Sequence, residues 1–464
     1  MGTNGGVLML RVLGVLTTAA LLSTSGSESH AVGPAIGAAE SPAMSALDVT
    51  ALLAAARGAP PMICALAARS VRNGNWGGRA DAPATPLGAA LESTYDDRDE
   101  LSSADVDRLL DALGSDDACV RELSVRLVGR EDDARIASPL IAKLGSSDAT
   151  LRSVAAFGLG LAEPASAVDP LIRALRDATP PVRANAAWAL GRIENGRALA
   201  PLVGLFRDDT PMVREAAVGA VGRLESTSAV AALTRVLQQD EAASVRRVAA
   251  WALGHLDSRE SADALVSVLS RDRDAHVREM TAWALGSIEG RSGSAALQAA
   301  LRNDTDDAVR ETAAWALAEI EDEGASATLG AAAQSDKSAR VRGTSAWALG
   351  QLRDDGHHAP PGLLHVLKDE SEDARRKAAW ALGQIGDPSA LPAILDALKV
   401  EQSTEVRRAL VRALTRSGGR SEALFTELLA SKDPQVREAA VRGLAGATRI
   451  DPWPWPWPRP RPFP

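Results

Sequence analysis

Ala249–Gly254 reads AAWALG, and the hexapeptide keeps returning: AAWALG at 186–191 and 378–383, TAWALG at 281–286, AAWALA at 313–318, SAWALG at 345–350. Six of the chain's ten tryptophans stand in this one slot. Around it runs a longer period. An arginine, in most units preceded by valine, recurs as Arg121, Arg152, Arg183, Arg214, Arg246, Arg278, Arg310, Arg342, Arg375, Arg407 and Arg437, in steps of 30 to 33 residues. Eleven units at a near-constant spacing describe a solenoid, in which each unit buries its apolar side only against its neighbours.

Each unit reads as two helices. Segments such as Pro170–Leu175 (PLIRAL) and Pro201–Phe206 (PLVGLF) carry apolar residues at i, i+3 and i+4 with proline in the first turn. An acidic turn follows, as in Asp208-Asp209-Thr210-Pro211, whose oxygens are expected to cap the second helix. A glycine or acidic-polar turn, as at Gly386-Asp387-Pro388, then leads to the next unit. On a wheel of ~100° per residue, Val277, Thr281, Ala284, Leu285 and Ile288 form one stripe, and Trp283 falls at ~240°, far from its centre. The stripe predicts the core, and its small residues predict close helix contacts.

Composition agrees. Ala and Leu dominate while β-branched and aromatic residues are scarce, which favours helix over sheet. At 464 residues the chain exceeds one compact core, and 46% hydrophobic content excludes wholesale disorder. The net charge of −9, with no run of bases, argues against a nucleic-acid surface.

The pattern DxxxVRxxAAWALGxIGD followed by PLIxAL resembles the HEAT-like repeats first named from phycobilisome lyases, within the armadillo-type superfamily. The resemblance covers residues 103–446. It implies an all-α, right-handed α–α superhelix of about eleven helix pairs. It further implies that the second helices line the concave face, with the tryptophan slot turned to the surface.

The flanks break the period. Residues 1–31 read as an export signal: Arg11, the apolar run Val12–Leu22, then Ser29 and Ala31 at the places a signal peptidase reads. The run is shorter than the ~20 residues a spanning helix needs, so no transmembrane segment is expected once the signal is removed, and the protein is placed in the periplasm or outside the cell. Residues 32–72, with helices at Ala46–Ala56 and Pro61–Val71, read as an N-terminal cap, and residues 73–102 as a flexible linker. Residues 447–464, ending in DPWPWPWPRPRPFP, form a Pro/Trp-rich tail, either a docking segment or a low-complexity end. Cys64 and Cys119 can form one bridge or remain two semi-buried thiols, and spacing does not decide between them.

Motifs of catalysis are missing: no HExxH, CxxC, Gly-rich phosphate loop or GxSxG occurs. The turn Asp354-Asp355-Gly356-His357-His358 reads as an exposed connection rather than a metal site. Deoxyhypusine hydroxylase is built of similar repeats but needs His-Glu pairs for iron, and no His-Glu dipeptide occurs here. No cofactor and no enzymatic activity are therefore expected. The alternatives to a free-standing scaffold are an accessory subunit of an envelope enzyme, or a lyase or hydroxylase of the related families.

Two ladders remain. The arginines, with acids ahead of them such as Asp306 and Asp307 before Arg310, read as structural ties between turns. Trp188, Trp251, Trp283, Trp315, Trp347 and Trp380 form a row interrupted at Gly219, flanked by Arg192, His255, Met280, Thr312, Glu319, Gln351 and Gln384. Large aromatics among mixed polar groups point to a protein- or peptide-binding surface. The alternative is that each indole fills a groove the alanines leave. We took Trp188, Trp251, Trp283, Trp315, Trp347, Trp380, His255, Arg192, Gln351 and Gln384 as the candidate site.

Overall fold

In α13 (Ala275–Ser287), which carries the Trp283 slot, the Asp274 carboxylate accepts the backbone N–H groups of His276 and Val277. That satisfies donors a helix start otherwise leaves open. Val277, Thr281, Ala284, Leu285 and Ile288, the expected stripe, are all fully buried, and the Thr281 hydroxyl donates to the Val277 carbonyl at 2.7 Å. Glu289 then takes a left-handed conformation (φ 48°) and turns the chain back.

This computed structural model describes residues 48–62, 64–65, 101–129, 133–352, 358–418, 422–432 and 434–444, all within the unit Ala46–Pro464. The expected signal, the 73–102 linker but for its last two residues, and the Pro/Trp tail lie outside the described residues.

The same construction recurs as eleven helix pairs among the described residues, after an initial α1 (Val49–Ala56). The second helices are α3 (Ala118–Val128), α5 (Ala149–Ala162), α7 (Pro180–Ile193), α9 (Pro211–Arg223), α11 (Ala243–His255), α13, α15 (Asp307–Glu319), α17 (Ala339–Gln351), α19 (Glu372–Ile385), α21 (Thr404–Arg416) and α23 (Pro434–Leu444). A first helix precedes each, from α2 (Ser103–Ala112) to α22 (Glu422–Leu429). No strand occurs among the described residues. Second helices pack far more intimately on each other than first helices do. When one layer of a stack is spaced more tightly than the other, the stack bends toward it, so the second helices line the inner face.

Six units turn on an acidic residue with positive φ: Glu163, Glu194, Glu225, Asp257, Glu289 and Glu321, all between 47° and 55°. Gly386 (φ 70°) and Gly418 (φ 87°) do this in later units. The acids carry a conformational cost of about 1 kcal/mol that glycine avoids. In return Glu163 pairs with Arg192 of the next unit, and Glu289 with Arg259 at 3.2 Å.

The arginine ladder is structural, but its partners differ from those expected. Eight arginines, Arg152, Arg183, Arg214, Arg246, Arg278, Arg310, Arg342 and Arg375, each grip a carboxylate of the following unit through two nitrogens, at 2.5–3.1 Å. Arg310 holds Asp336, while Asp306 caps α15 instead and Asp307 pairs with Arg340. Seven of the eight carboxylate bearers do double duty. Asp304 accepts Arg278 on its side chain and Arg310 Nη1 on its backbone carbonyl, at 2.9 Å. The same carboxylate takes the Asp306 N–H. Asp208 follows this pattern, so it does not cap α9, whose first turn rests on Thr210 without a side-chain cap and on Pro211.

These contacts set the acids' ionisation. The Arg152 guanidinium holds the Asp177 carboxyl below its ordinary range. For Asp208, Asp272, Asp304, Asp369 and Glu401, burial pushes the pKa up, but the guanidinium and a backbone N–H outweigh it and leave the pKa lowered. Burial instead wins at Glu279, Glu311 and Glu319, whose carboxyls are raised.

At the N-terminal end, Cys64 and Cys119 are joined in a disulfide with Cα atoms 5.6 Å apart. Beside it, the Gly58 N–H donates to Asp117 Oδ2 at 2.8 Å. Bridge and hydrogen bond fasten the segment after α1 to the start of α3.

Replacing both cysteines with serine is expected to cost about 4 kcal/mol in the chain-entropy account and to free α1, leaving the later units folded; hydrogen exchange resolved along the chain checks this. Arg310→Ala strands Asp336, whose side chain is 9% exposed, and should cost about 3–5 kcal/mol in chemical denaturation. Lowered carboxylates stabilise the fold above their unfolded pKa of about 4, and that contribution is lost as pH falls through their folded values. The raised glutamates act oppositely, stabilising as pH falls through theirs. Melting temperature should therefore peak near about pH 5 and drop steeply below about pH 4.

Candidate protein-binding face

Most of the hexapeptides end in glycine, AAWALA with Ala318 being the exception, and where the following unit carries the tryptophan its ring lies on that glycine. A Cβ built on Gly222, Gly254, Gly286 or Gly350 would stand 2.8–3.0 Å from Cζ3 of Trp251, Trp283, Trp315 or Trp380, and one on Gly160 closer still to Trp188. Ala252, Ala284, Ala316 and Ala381, the residues after these four tryptophans, press on the same glycines. Where the tryptophan is missing, at Gly219, the backbones themselves close the gap: a Cβ on Gly191 would meet Ala220 Cα at 2.6 Å.

The expected row of surface anchors is thus first a row of packing residues. Trp251 and Trp347 are buried, at 5% and 2% exposure, and do not stand as free anchors. Trp188, Trp283, Trp315 and Trp380 are half-buried. Met280 and Thr312, expected beside the row, are buried in helix contacts. The wheel put the indole far from the core, because it treats one helix at a time and has no term for the neighbour's glycine; Trp251 and Trp347 instead belong to the core and the other four pack against it. The clue was nonetheless present, because the glycine closing one hexapeptide precedes the next tryptophan by one unit.

The indoles keep a polar edge. None of the six ring N–H groups donates to a protein acceptor among the described residues, and none of these nitrogens is sealed from solvent. A half-buried tryptophan with an open N–H combines apolar area with a directional donor.

One turn along each helix sits the expected polar partner. Arg192 lies over the Trp188 ring, 5.7 Å from its centroid, while Phe157 approaches the ring from the preceding unit at 4.9 Å. His255 stacks on Trp251 at 5.2 Å, with its Nε2 3.7 Å from Glu225. Trp347 and Trp380 stack at 6.5 Å, and Gln351 and Gln384 beside them are exposed. The structure therefore places all ten predicted residues on the second-helix layer, along one face of successive units rather than in a single pocket.

Nothing in this layer has the form of a metal centre: among the described residues no three His, Cys, Asp or Glu side chains are grouped as metal ligands. His357 lies outside the described residues; His358 is exposed, with Nδ1 3.9 Å from Asp387. No described helix is long and apolar enough to cross a membrane.

The model of HEAT repeats matches six times, over residues 136–222, 168–254, 204–286, 230–318, 294–360 and 360–445. The chain belongs to the HEAT-repeat family. Among solved structures, it is similar to yeast importin-beta, with 16% identity, 83% of this chain and 62% of that one covered, and a TM-score of 0.53. It is also similar to the complex of CpcE and CpcF of phycocyanin lyase from Nostoc, with 25% identity over 52% of this chain and 91% of that one, at a TM-score of 0.33. No curated protein matches it. The HEAT repeats account for the helix pairs, and the likeness to importin-beta is one of fold.

A methyl group should separate seat from gap. Gly254→Ala would drive its Cβ into Trp283 and into the Ala284 backbone at 2.9 Å, whereas a Cβ on Gly219 meets only Val248 Cγ1 at 3.5 Å. Gly254→Ala is expected to destabilise by about 1–3 kcal/mol, and Gly219→Ala to be neutral or mildly stabilising; thermal melts decide.

Proposed function

We propose that this chain is an exported, non-enzymatic scaffold that grips a protein or peptide along the inner face of its HEAT array. The observation that carries the reading is the inner row of half-buried indoles with open N–H edges, set among Arg192, His255, Gln351 and Gln384. Packing between units fixes the rings in place, so a partner meets preorganised aromatic area without the entropic cost of ordering it. Stacked units also spread the contact over a long surface, which suits an extended partner better than a small molecule. The repeated WALG signature favours the phycobilisome-lyase type of HEAT repeat, and the missing His-Glu pairs weigh against the hydroxylase chemistry of that group.

Because the tryptophans also pack, the exposed polar residues are the better probes. A photo-crosslinking amino acid placed at 255, 351 or 384 should capture a partner from envelope extract of the source cells. The same residue at position 271, on the outer first helix α12 (Ala262–Arg271), should not. Crosslinks from 271 alone, or from none of the four, would remove the inner face from consideration. Export is checked separately by the mature N-terminus, expected at Val32.

A further inference from the structure

Along the inner face, the chain lays its own arginine or histidine side chains over the aromatic slots of the early units. The Arg126 guanidinium lies 5.5 Å from the Phe157 centroid and that of Arg192 lies 5.7 Å from Trp188; the His255 imidazole stacks on Trp251 with planes 13° apart. The next two slots are different. The residue four places after Trp283 is Ser287, and four places after Trp315 it is Glu319. No cation stands over either ring among the described residues, although both rings are half-buried.

Carboxylates lie one helical turn from this pair instead, Glu279 before Trp283, Glu311 before Trp315 and Glu319 after it. Glu279 is only 8% exposed, and the side chain it meets is the His276 ring, with Nδ1 at 3.6 Å. Glu319 makes no ion pair with a described residue, and burial followed by repulsion from Glu289 and Glu321 raises its carboxyl pKa. Glu289 is held only by the loose, exposed contact with Arg259. Of the inner carboxylates here, Glu311 alone has a firm counter-charge, the Arg340 guanidinium at 3.5 Å. Negative charge one helical turn from indoles that no cation covers among the described residues is the reverse of the arrangement at Trp188.

We propose that the stretch of inner face around Trp283 and Trp315 binds a basic peptide segment, whose Lys or Arg side chains stand over these rings and pair with Glu279 and Glu319. The assignment rests on the reading of the inner face as a binding surface and gives that surface its partner's chemistry. An ammonium or guanidinium over a tryptophan face gains from the ring quadrupole, and more so where water is partly excluded. The incoming cation does at these two slots what Arg192 does at Trp188. It also relieves the repulsion that Glu319 meets from Glu289 and Glu321. Charge complementarity of this kind sets register and rejects acidic segments more than it adds raw affinity.

The test uses the full chain and a fluorescein-labelled dodecapeptide of alternating lysine and glycine, with the glutamate–glycine analogue as counterpart, read by fluorescence anisotropy. The lysine peptide is expected to bind and the glutamate peptide not. Glu279→Gln combined with Glu319→Gln should weaken lysine-peptide binding about fivefold or more, from two lost partly buried charge contacts. Glu260→Gln combined with Asp263→Asn removes the same charge from exposed positions by the outer helix and should change affinity less than about twofold. Circular dichroism confirms that both double variants remain helical. Equal weakening by both pairs, or a preference for the glutamate peptide, overturns the assignment. Lysine-peptide crosslinks centred on Trp380 rather than on Trp283 and Trp315 also overturn it, yet leave the inner face standing as a binding surface. That face falls only if positions 255, 351 and 384 capture nothing.

Discussion

Everything in this array depends on how closely one second helix can approach the next. A glycine at the end of most hexapeptides removes the Cβ that would hold the neighbours apart, and at Gly160, Gly222, Gly254, Gly286 and Gly350 an indole from the following unit slides over the bare backbone. Flanking alanines keep the contact wide and shallow, and dispersion over so many atoms is large even though each pair contributes little. The first helices, faced with leucine, valine and isoleucine, cannot come so near. Curvature follows from that inequality, and with it the existence of an inner surface.

The arginine ladder secures the same seam from the side. Each guanidinium reaches forward to a carboxylate, and every ladder aspartate also turns its carbonyl to the next guanidinium. Charged groups are thereby taken out of water only with their partners fixed, which avoids the penalty of burying them alone. Apolar seat and polar tie fix different coordinates, the first the separation of units and the second their rotation. Cooperative nearest-neighbour stability of this kind is what defines a solenoid.

The fold was legible because its information is periodic. Val277, Thr281, Ala284, Leu285 and Ile288 reveal the core by spacing alone, and eleven returns of the arginine remove chance as an explanation. What the sequence concealed was always a relation between units. Arg310 meets Asp336, not the nearby Asp306, because the ion pair closes across a seam that linear proximity does not describe. Trp251 and Trp347 are buried by the same kind of contact. The site was half legible for this reason: its residues were identifiable, but their division between packing and exposure depends on the neighbour. His255, Gln351 and Gln384, which protrude beyond the seam, are exposed.

The head-to-tail form of the ladder bears on how such a chain can change over generations. A segment cut between equivalent aspartates, Asp272 and Asp304 for example, carries one complete receiving half and one complete donating half of the seam. Deleting or duplicating it in frame would rejoin an arginine to a carboxylate and an indole to a glycine in register. Array length can then vary by whole units without a new interface having to be invented. The reach of the groove becomes a quantity that recombination can tune in steps, while the side chains projecting from each unit drift independently to suit whatever lies along it.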